Sequence, residues 1–469
     1  MIRYVGNPYV DAGVAVLELR LSKRCSTFTS HDLESEAAKL KREYTKKIWK
    51  SYLMLHLPNC AWTQQELSSE KNQAYLTKVL ESYKDDFPEL DRRCAFCNRP
   101  AKVLADRRFI PLLTGETVMV CGAEGSPGLP VCGNCVFAAH FYPLATLKVE
   151  GKPLFWWAPD PAWTRRLNGY FYREVQRILT ASSEDFIKLR WPATQLLRAA
   201  RKVLEEVAGL PEAEHLPLCD IIGIHATNYG TDPNFDELRI PRGLLEFWSE
   251  VGGRELYREI EEEAWEGDQP KSRKAGKSKS KPVIEPANPF PELARRNRLY
   301  EALGKAFMSP DYRDQAKRVC AQFFLRKREK YVAPNTTALA EFFLMKVAGM
   351  EKDRLEAIRE MADTIADRLI LGGSDRHVAW QLFRRRLKLG EFLQCLSQIQ
   401  RKLSDLGEPF KWDKILRALG LETEEDRTAS DHWLVQELIL IRVFERLAKS
   451  DLLTEVPEPE DEPLSEMSQ

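Results

Sequence analysis

The chain has 469 residues, 43% of them hydrophobic, with 11 tryptophans, 10 cysteines and a formal net charge of zero. That length accommodates two or three domains with their own cores, and the composition excludes a disordered chain. No run of 18 apolar residues marks a membrane span, and Met1-Ile2-Arg3-Tyr4 lacks the basic-then-apolar layout of a secretory signal, so a cytoplasmic location is expected.

The first patterned stretch is Gly6-Asn7-Pro8-Tyr9-Val10-Asp11-Ala12-Gly13, turn formers and a candidate cap ahead of the apolar run Val14 to Leu21. A loop feeding a short buried helix or strand is expected there. Leu33, Ala37, Leu40, Tyr44, Ile48 and Tyr52 share one face, predicting a helix over 31–57. Its other face carries Lys39, Lys41, Arg42, Lys46, Lys47 and Lys50, either solvated or turned toward phosphates. A second helix is predicted over roughly 64–84.

Next comes Cys94-Ala95-Phe96-Cys97, then 34 residues, then Cys132-Gly133-Asn134-Cys135. Two residues between paired cysteines let both thiolates converge on one tetrahedral ion, and two such knuckles complete a four-sulfur shell for zinc. Four cysteines leave no open coordination position, so the site reads as structural. Gly133 and Asn134 suit the left-handed turn a knuckle needs, and Asn98 with Arg99-Pro100 follows the first pair. Residues 98–131 read as a loop or hairpin excursion stapled at its base, with Cys121 inside it as a substitute ligand. His140 reads as packing or as a second-layer partner of the site. A redox CxxC is disfavoured, because no thioredoxin-like strand and helix adjoin it. The single cysteines, scattered through helical or mixed surroundings, suit a reducing compartment.

After the second knuckle runs the densest aromatic tract, Phe137 to Tyr172, interleaved with Arg165, Arg166, Arg173 and Arg177. Such a tract is either core with a basic rim or a surface that stacks bases and clamps phosphates. A helix is predicted over 196–207 and a short strand over 218–224, leading into the loop His225 to Pro233. That loop's small hydrogen-bonding residues fit either recognition or plain connection.

Residues 266–291 hold six basic residues between Lys271 and Lys281 and five prolines, and predict a flexible linker. Helices are predicted beyond it over 292–308, 311–329, 336–350, 351–371, 374–389, 390–405, 411–419 and 430–449. The expected architecture is therefore α+β: a mixed N-terminal body over 1–265 carrying the zinc knuckles, then an all-α bundle over 292–452 and an acidic disordered tail over 453–469. Net neutrality conceals an asymmetry. Residues 291–452 carry 30 basic against 25 acidic side chains, whereas Glu455 to Gln469 carries six acids and no base.

Nothing in the sequence supplies a nucleophile elbow, a Walker loop, a dinucleotide turn or a carboxylate–histidine metal site. A binding or scaffold protein is expected rather than an enzyme.

The opening octapeptide, the two CxxC pairs and the Thr227-Asn228-Tyr229-Gly230 loop together resemble the CXXC-CXXC family of CRISPR-associated proteins, the large subunit of the type I-B Cascade complex. The resemblance covers residues 1 to about 250 by motif and the remainder by layout. It implies a subunit that holds the 5′ side of the guide RNA and reads the short flanking motif in duplex target DNA. It further implies that the chain starts unwinding, stabilises the R-loop through a small-subunit-like C-terminal bundle, and docks a helicase-nuclease beside the Cascade backbone and 5′-handle subunits. On this resemblance, motif readers are expected at Asn7, Thr227, Asn228 and Tyr229, where amides and close-approaching turns can meet base edges. Backbone contacts are expected at Arg165, Arg166, Arg326, Lys327, Arg384, Arg385 and Lys388. Small-subunit copies could also arise from an internal start at Met345 or Met350, each expected just before a helix. The alternative is a zinc-stapled cytoplasmic scaffold that binds only protein.

Overall fold

The computed structural model describes residues 1–64, 69–113, 128–181, 189–210, 216–228, 234–266, 290–325, 335–373, 376–384, 386–407, 409–421 and 431–448. The chain is divided between two compact units, neither continuous in sequence. The first comprises Met1–Leu245 and Trp265–Met308; the second comprises Glu246–Ala264 and the chain from Ser309 on.

The first unit is built on α1 (Pro8–Leu21). Every residue from Tyr9 to Glu18 is buried, as befits a helix apolar all round. Asn7 caps it by accepting from the Tyr9 and Val10 amides, Pro8 occupies the first turn where no amide is needed, and Ser22 closes it in the left-handed region. The expected element is thus a helix. Asp11 does not cap it. Its carboxylate instead accepts from the Val5 and Gly6 amides and from Trp157 Nε1, fixing the preceding loop.

Around α1 stand α2 (Ser30–Tyr44), α3 (Lys47–His56) and α4 (Ser69–Leu80). The single helix predicted over 31–57 is two helices. Thr45 turns its hydroxyl back to the Arg42 carbonyl and Lys46 adopts extended backbone, ending one helix and starting the next. Two short strands, β1 (Val103–Ala105) and β2 (Leu129–Val131), pair antiparallel at the base of the 98–131 excursion and lead into α5 (Gly133–Ala139).

A four-stranded antiparallel sheet follows, in the order β3 (Leu147–Val149), β4 (Lys152–Trp157), β5 (Ile221–Thr227) and β6 (Asn234–Ile240). β5 lies three residues later than the strand predicted over 218–224. The β3–β4 hairpin turns on Glu150 and Gly151, both with positive φ, the geometry of a two-residue loop between twisted strands. The aromatic tract therefore divides between β4 and α6 (Pro161–Ala181). α7 (Pro192–Ala208) packs beside α6.

The chain continues through α8 (Arg242–Val251) and α9 (Glu255–Glu263). The predicted 266–291 linker falls almost wholly outside the described residues. On its far side, α10 (Pro291–Ala294) and α11 (Arg298–Phe307) belong to the first unit rather than to the bundle expected from residue 292. The reason is specific: Thr194 bonds Glu301 at 2.7 Å, the Gln195 amide reaches the Leu293 carbonyl at 2.8 Å, and Leu293 and Leu299 are fully buried.

The second unit is entirely helical among its described residues, as expected. Its elements are α12 (Tyr312–Phe323), α13 (Thr336–Lys346), α14 (Lys352–Thr364), α15 (Arg376–Arg384), α16 (Leu389–Asp405), α17 (Trp412–Leu419) and α18 (His432–Leu447). α14 runs on into a wider π-type turn, Ile365–Leu371. Phe247 and Tyr257 tie the 246–264 segment into this unit by packing on Phe324, and Phe247 also meets Phe343. Arg442 and Arg446 of α18 pair with Asp363 and Asp367, so several of the bundle's arginines neutralise its own acids. Met345 lies inside α13 rather than before a helix, because Leu344 and Phe343 beside it continue the buried face; Met350 does precede α14. Among the described residues no helix is long and apolar enough to cross a membrane.

Candidate metal centre

The first knuckle is a hairpin closed by backbone bonds. The Cys94 amide donates to the Arg99 carbonyl, the Asn98 amide to the Cys94 carbonyl, and the Ala101 amide to the Arg92 carbonyl. Asn98 carries the left-handed backbone, φ 61, that completes its turn. The second pair is built differently. Cys132 precedes α5 and Cys135 sits in its first turn, so Gly133 is helical rather than left-handed as expected. Glycine is needed there for space: a Cβ at 133 would stand 1.9 Å from the Ser82 carbonyl oxygen. The Ala95 amide donates to the Pro130 carbonyl and locks the two knuckles face to face.

The four sulfurs of Cys94, Cys97, Cys132 and Cys135 all lie within 4.8 Å of one another, and all four residues are buried. Cys97 and Cys132 sulfurs are 3.4 Å apart and those of Cys94 and Cys135 are 4.0 Å apart, too far for disulfides. Such a set can hold a metal ion. Its electrostatics ask for one: bonding from the Cys132 thiol holds Cys97 down, while bonding with Cys132 and its neighbours pushes Cys135 up. Without a cation the four thiols cannot all ionise together. Cys121, the substitute ligand, lies outside the described residues.

The N-terminal segment is clasped to this centre. Arg3 donates to the Cys97 carbonyl at 2.8 Å, Arg99 donates to the Met1 carbonyl, and Ile2 between them is buried. His140 takes no part. Its Nδ1 donates to the Val136 carbonyl, its Nε2 lies 2.8 Å from the Tyr75 hydroxyl, and burial lowers its pKa to about 4. It is a packing residue.

The expected motif readers are otherwise engaged. The carbonyl oxygen of the half-buried Asn7 side chain is engaged in capping α1. Asn228 is 4% exposed; its carbonyl oxygen accepts from the Leu112 amide at 2.9 Å, and its amino group donates to the Arg107 carbonyl at 3.0 Å and toward that of His56 at 3.4 Å. These bonds consume the donors and acceptors that base recognition would need. Thr227 is half-buried, directing its hydroxyl toward the Leu55 carbonyl, and Tyr229 lies outside the described residues.

Of the expected backbone contacts, Arg165 is 30% exposed and 3.4 Å from the buried carboxylate of Glu18, while Arg166 is half-buried. Arg326, Lys327, Arg385 and the Arg384 side chain lie outside the described residues. Lys388 is exposed at the head of α16.

Two features escaped the sequence reading. One is an open groove of about 740 Å³ along the first knuckle, lined by Arg3, Tyr4 and Val5 on one side and Arg93 to Asn98 on the other. The other is the close contact of the opening helix with α5, for which the signal was Gly13 in an otherwise large apolar helix: a Cβ there would meet the Ala138 carbonyl oxygen at 1.8 Å. Comparison with protein-family models, with characterised proteins and with solved structures finds no match to this chain.

Proposed function

We propose that the chain is the large, non-catalytic subunit of a type I-B CRISPR effector complex, a body folded around a structural zinc ion that binds guide RNA and target DNA alongside its partner subunits. The observation that carries this reading is the convergence of two sequence segments more than 80 residues apart. The octapeptide meets the second knuckle's helix through Gly13 against Ala138 of α5, and residues 1–3 just ahead of it bond the first knuckle through Arg3 to Cys97 and Arg99 to Met1. Those are the segments on which the family resemblance rests. Tyr9 of the octapeptide also packs with Ile224 and Ala226 of β5, just ahead of the third segment.

Zinc is the ion the site suits best. Metal–sulfur bonds of about 2.3 Å place tetrahedral sulfurs about 3.8 Å apart, between the 3.4 and 4.0 Å of the two facing pairs. Soft thiolates exclude calcium and magnesium, and four of them leave no position for a reacting water. In this reading zinc is structural: it clamps the N-terminal segment, and the acting surface is the protein around it.

Base pairing with the guide would read the target, as in other RNA-guided effectors, leaving this chain to hold the strands and the flanking duplex. The buried bonds of Asn228 remove that side chain from the proposal as a motif reader, and capping occupies the carbonyl oxygen of Asn7. Thr227, Tyr229 and the basic residues remain candidates, and so does an internal start at Met350. The experiment is coexpression with the neighbouring genes and a guide array, affinity purification on this chain, and sequencing of the RNA retained. Uniform guide-length RNA with a multi-copy backbone protein supports the reading. RNA-free chain bound to another protein overturns it in favour of a scaffold, a reading that Trp412 and Leu416, exposed one turn apart on α17, favour.

A further inference from the structure

The groove along the first knuckle is where the first unit's unbalanced positive charge meets a concave surface. A zinc tetrathiolate carries a formal charge of −2. Arg3, Arg93 and Arg99 surround it with three positive charges, and among the described residues neither Arg3 nor Arg93 is paired with a carboxylate. The groove's far wall is Tyr4, whose hydroxyl donates to Glu18 at 3.2 Å. Glu18 in turn faces both Arg24 at 3.7 Å and Arg165 at 3.4 Å, so this buried carboxylate is likewise outnumbered. With the Met1 amino group set against Asp85, which faces it, cations still outnumber anions at the knuckle, and again beyond Tyr4.

Within the groove the arginines alternate with rings. Arg93 is exposed at one lip and Arg3 at the other, with the half-buried Phe96 and Tyr4 beside them. A cationic concavity lined in part by aromatic residues suits a phosphate chain whose bases can stack as it passes. Resting on the function proposed above, we infer that this groove holds the sugar–phosphate backbone of a single-stranded nucleic acid, with Arg93 and Arg3 as the phosphate contacts and Arg165 continuing the path past Tyr4.

The test is fluorescence anisotropy on the full-length, metal-loaded chain with a labelled 30-nucleotide single-stranded RNA, the same sequence as DNA, and inorganic phosphate as competitor, across a salt series. Arg93→Ser is the principal variant, because the Arg93 side chain supports no described bond; Arg3→Lys keeps a charge while losing the forked donor. Both are checked for unchanged metal content. Arg93→Ser is expected to raise Kd about three- to ten-fold and to reduce the salt slope by about 0.7, one phosphate's share on a single strand. The preferred strand, RNA or DNA, identifies which backbone the groove carries. Wild-type affinity and slope in Arg93→Ser overturn the inference, as does equal competition by inorganic phosphate at matched phosphate concentration, which would make the groove a free-anion site. Those results leave the proposed function standing, because that is judged by the RNA recovered on coexpression.

Discussion

Gly13 of the opening helix lies against Ala138 so closely that no side chain fits between them: an added Cβ would stand 1.8 Å from the Ala138 carbonyl oxygen. The atom in the way is backbone, which cannot swing aside as a side chain can. Gly13→Ala is therefore expected to force α1 and α5 apart at a cost of about 3 kcal/mol, read as a lowered denaturant midpoint. Because α5 carries Cys135, the same variant should surrender its metal to a chelator sooner than the wild type. An unchanged midpoint would show that the two helices do not meet this way.

Metal analysis of the purified chain is expected to give one zinc per molecule, and Cys132→Ser to reduce it severely. Removal of the ion should also loosen the segment that Arg3 and Arg99 clasp to the knuckle. Trypsin is expected to cut after Arg3 and Arg93 much faster in the metal-stripped chain, the Arg99–Pro100 bond being resistant in both forms. Equal digestion of both forms would refute the clasp.

Two histidines make the fold sensitive to acid. His56 is fully buried, with Nδ1 donating to the Tyr52 carbonyl and Nε2 2.8 Å from the Thr146 hydroxyl, and burial lowers its pKa to about 3. His140 is lowered to about 4 by the same cause. In the unfolded chain both protonate near 6.5, so the unfolded state binds more protons below that pH. Their contribution to stability is complete above 6.5 and declines as pH falls toward 4 and then 3, by about 1.4 kcal/mol per pH unit for each histidine. His56→Gln should flatten the stability profile between pH 6 and 4; an unaltered slope would contradict its burial as a neutral ring.

Asn228→Ala is expected to destabilise the first unit by about 2–4 kcal/mol, since it leaves the Leu112 amide and the Arg107 carbonyl without their partner. Thermal unfolding measures this. A variant that folds as the wild type but loses nucleic-acid binding would return Asn228 to the role its loop suggests.

The knuckles were legible because their chemistry is local: the spacing of Cys94 with Cys97 and of Cys132 with Cys135 is enough to bring sulfurs together, and the fold had only to face one pair toward the other. The helices of the second unit were legible for a similar reason: Gly373, Gly407 and Gly420, all with positive φ, close helical segments as the sequence alone suggests. What remained hidden depended on distant partners. Asn228 has the composition of a recognition residue, and nothing in its neighbours reveals that Leu112 and Arg107 bind it from across the unit. The β3–β4 hairpin was obscured because Phe155, Trp156 and Trp157 form a continuous run without alternation, although Glu150-Gly151 marked its turn. Phe155 and Trp156 are both fully buried, which explains the missing alternation. Gly133 was correctly singled out but for the wrong reason, since a sequence records a missing side chain without saying whether rotation or room required it.

The crossing of the chain between its two units has a consequence for anyone who would take the protein apart. Trp265 and Phe290 both belong to the first unit, so the lysine-rich stretch between them joins two parts of one body rather than one body to the next. A gene fragment ending near residue 265 would lack the α11 face that covers α7, and would carry a stranded α9. One beginning at Met350 would lack Phe247, Tyr257, Phe324 and Phe343, four rings of a single aromatic cluster. Halves cut at that stretch should thus be poorly soluble when made separately, yet regain their missing contacts when made together.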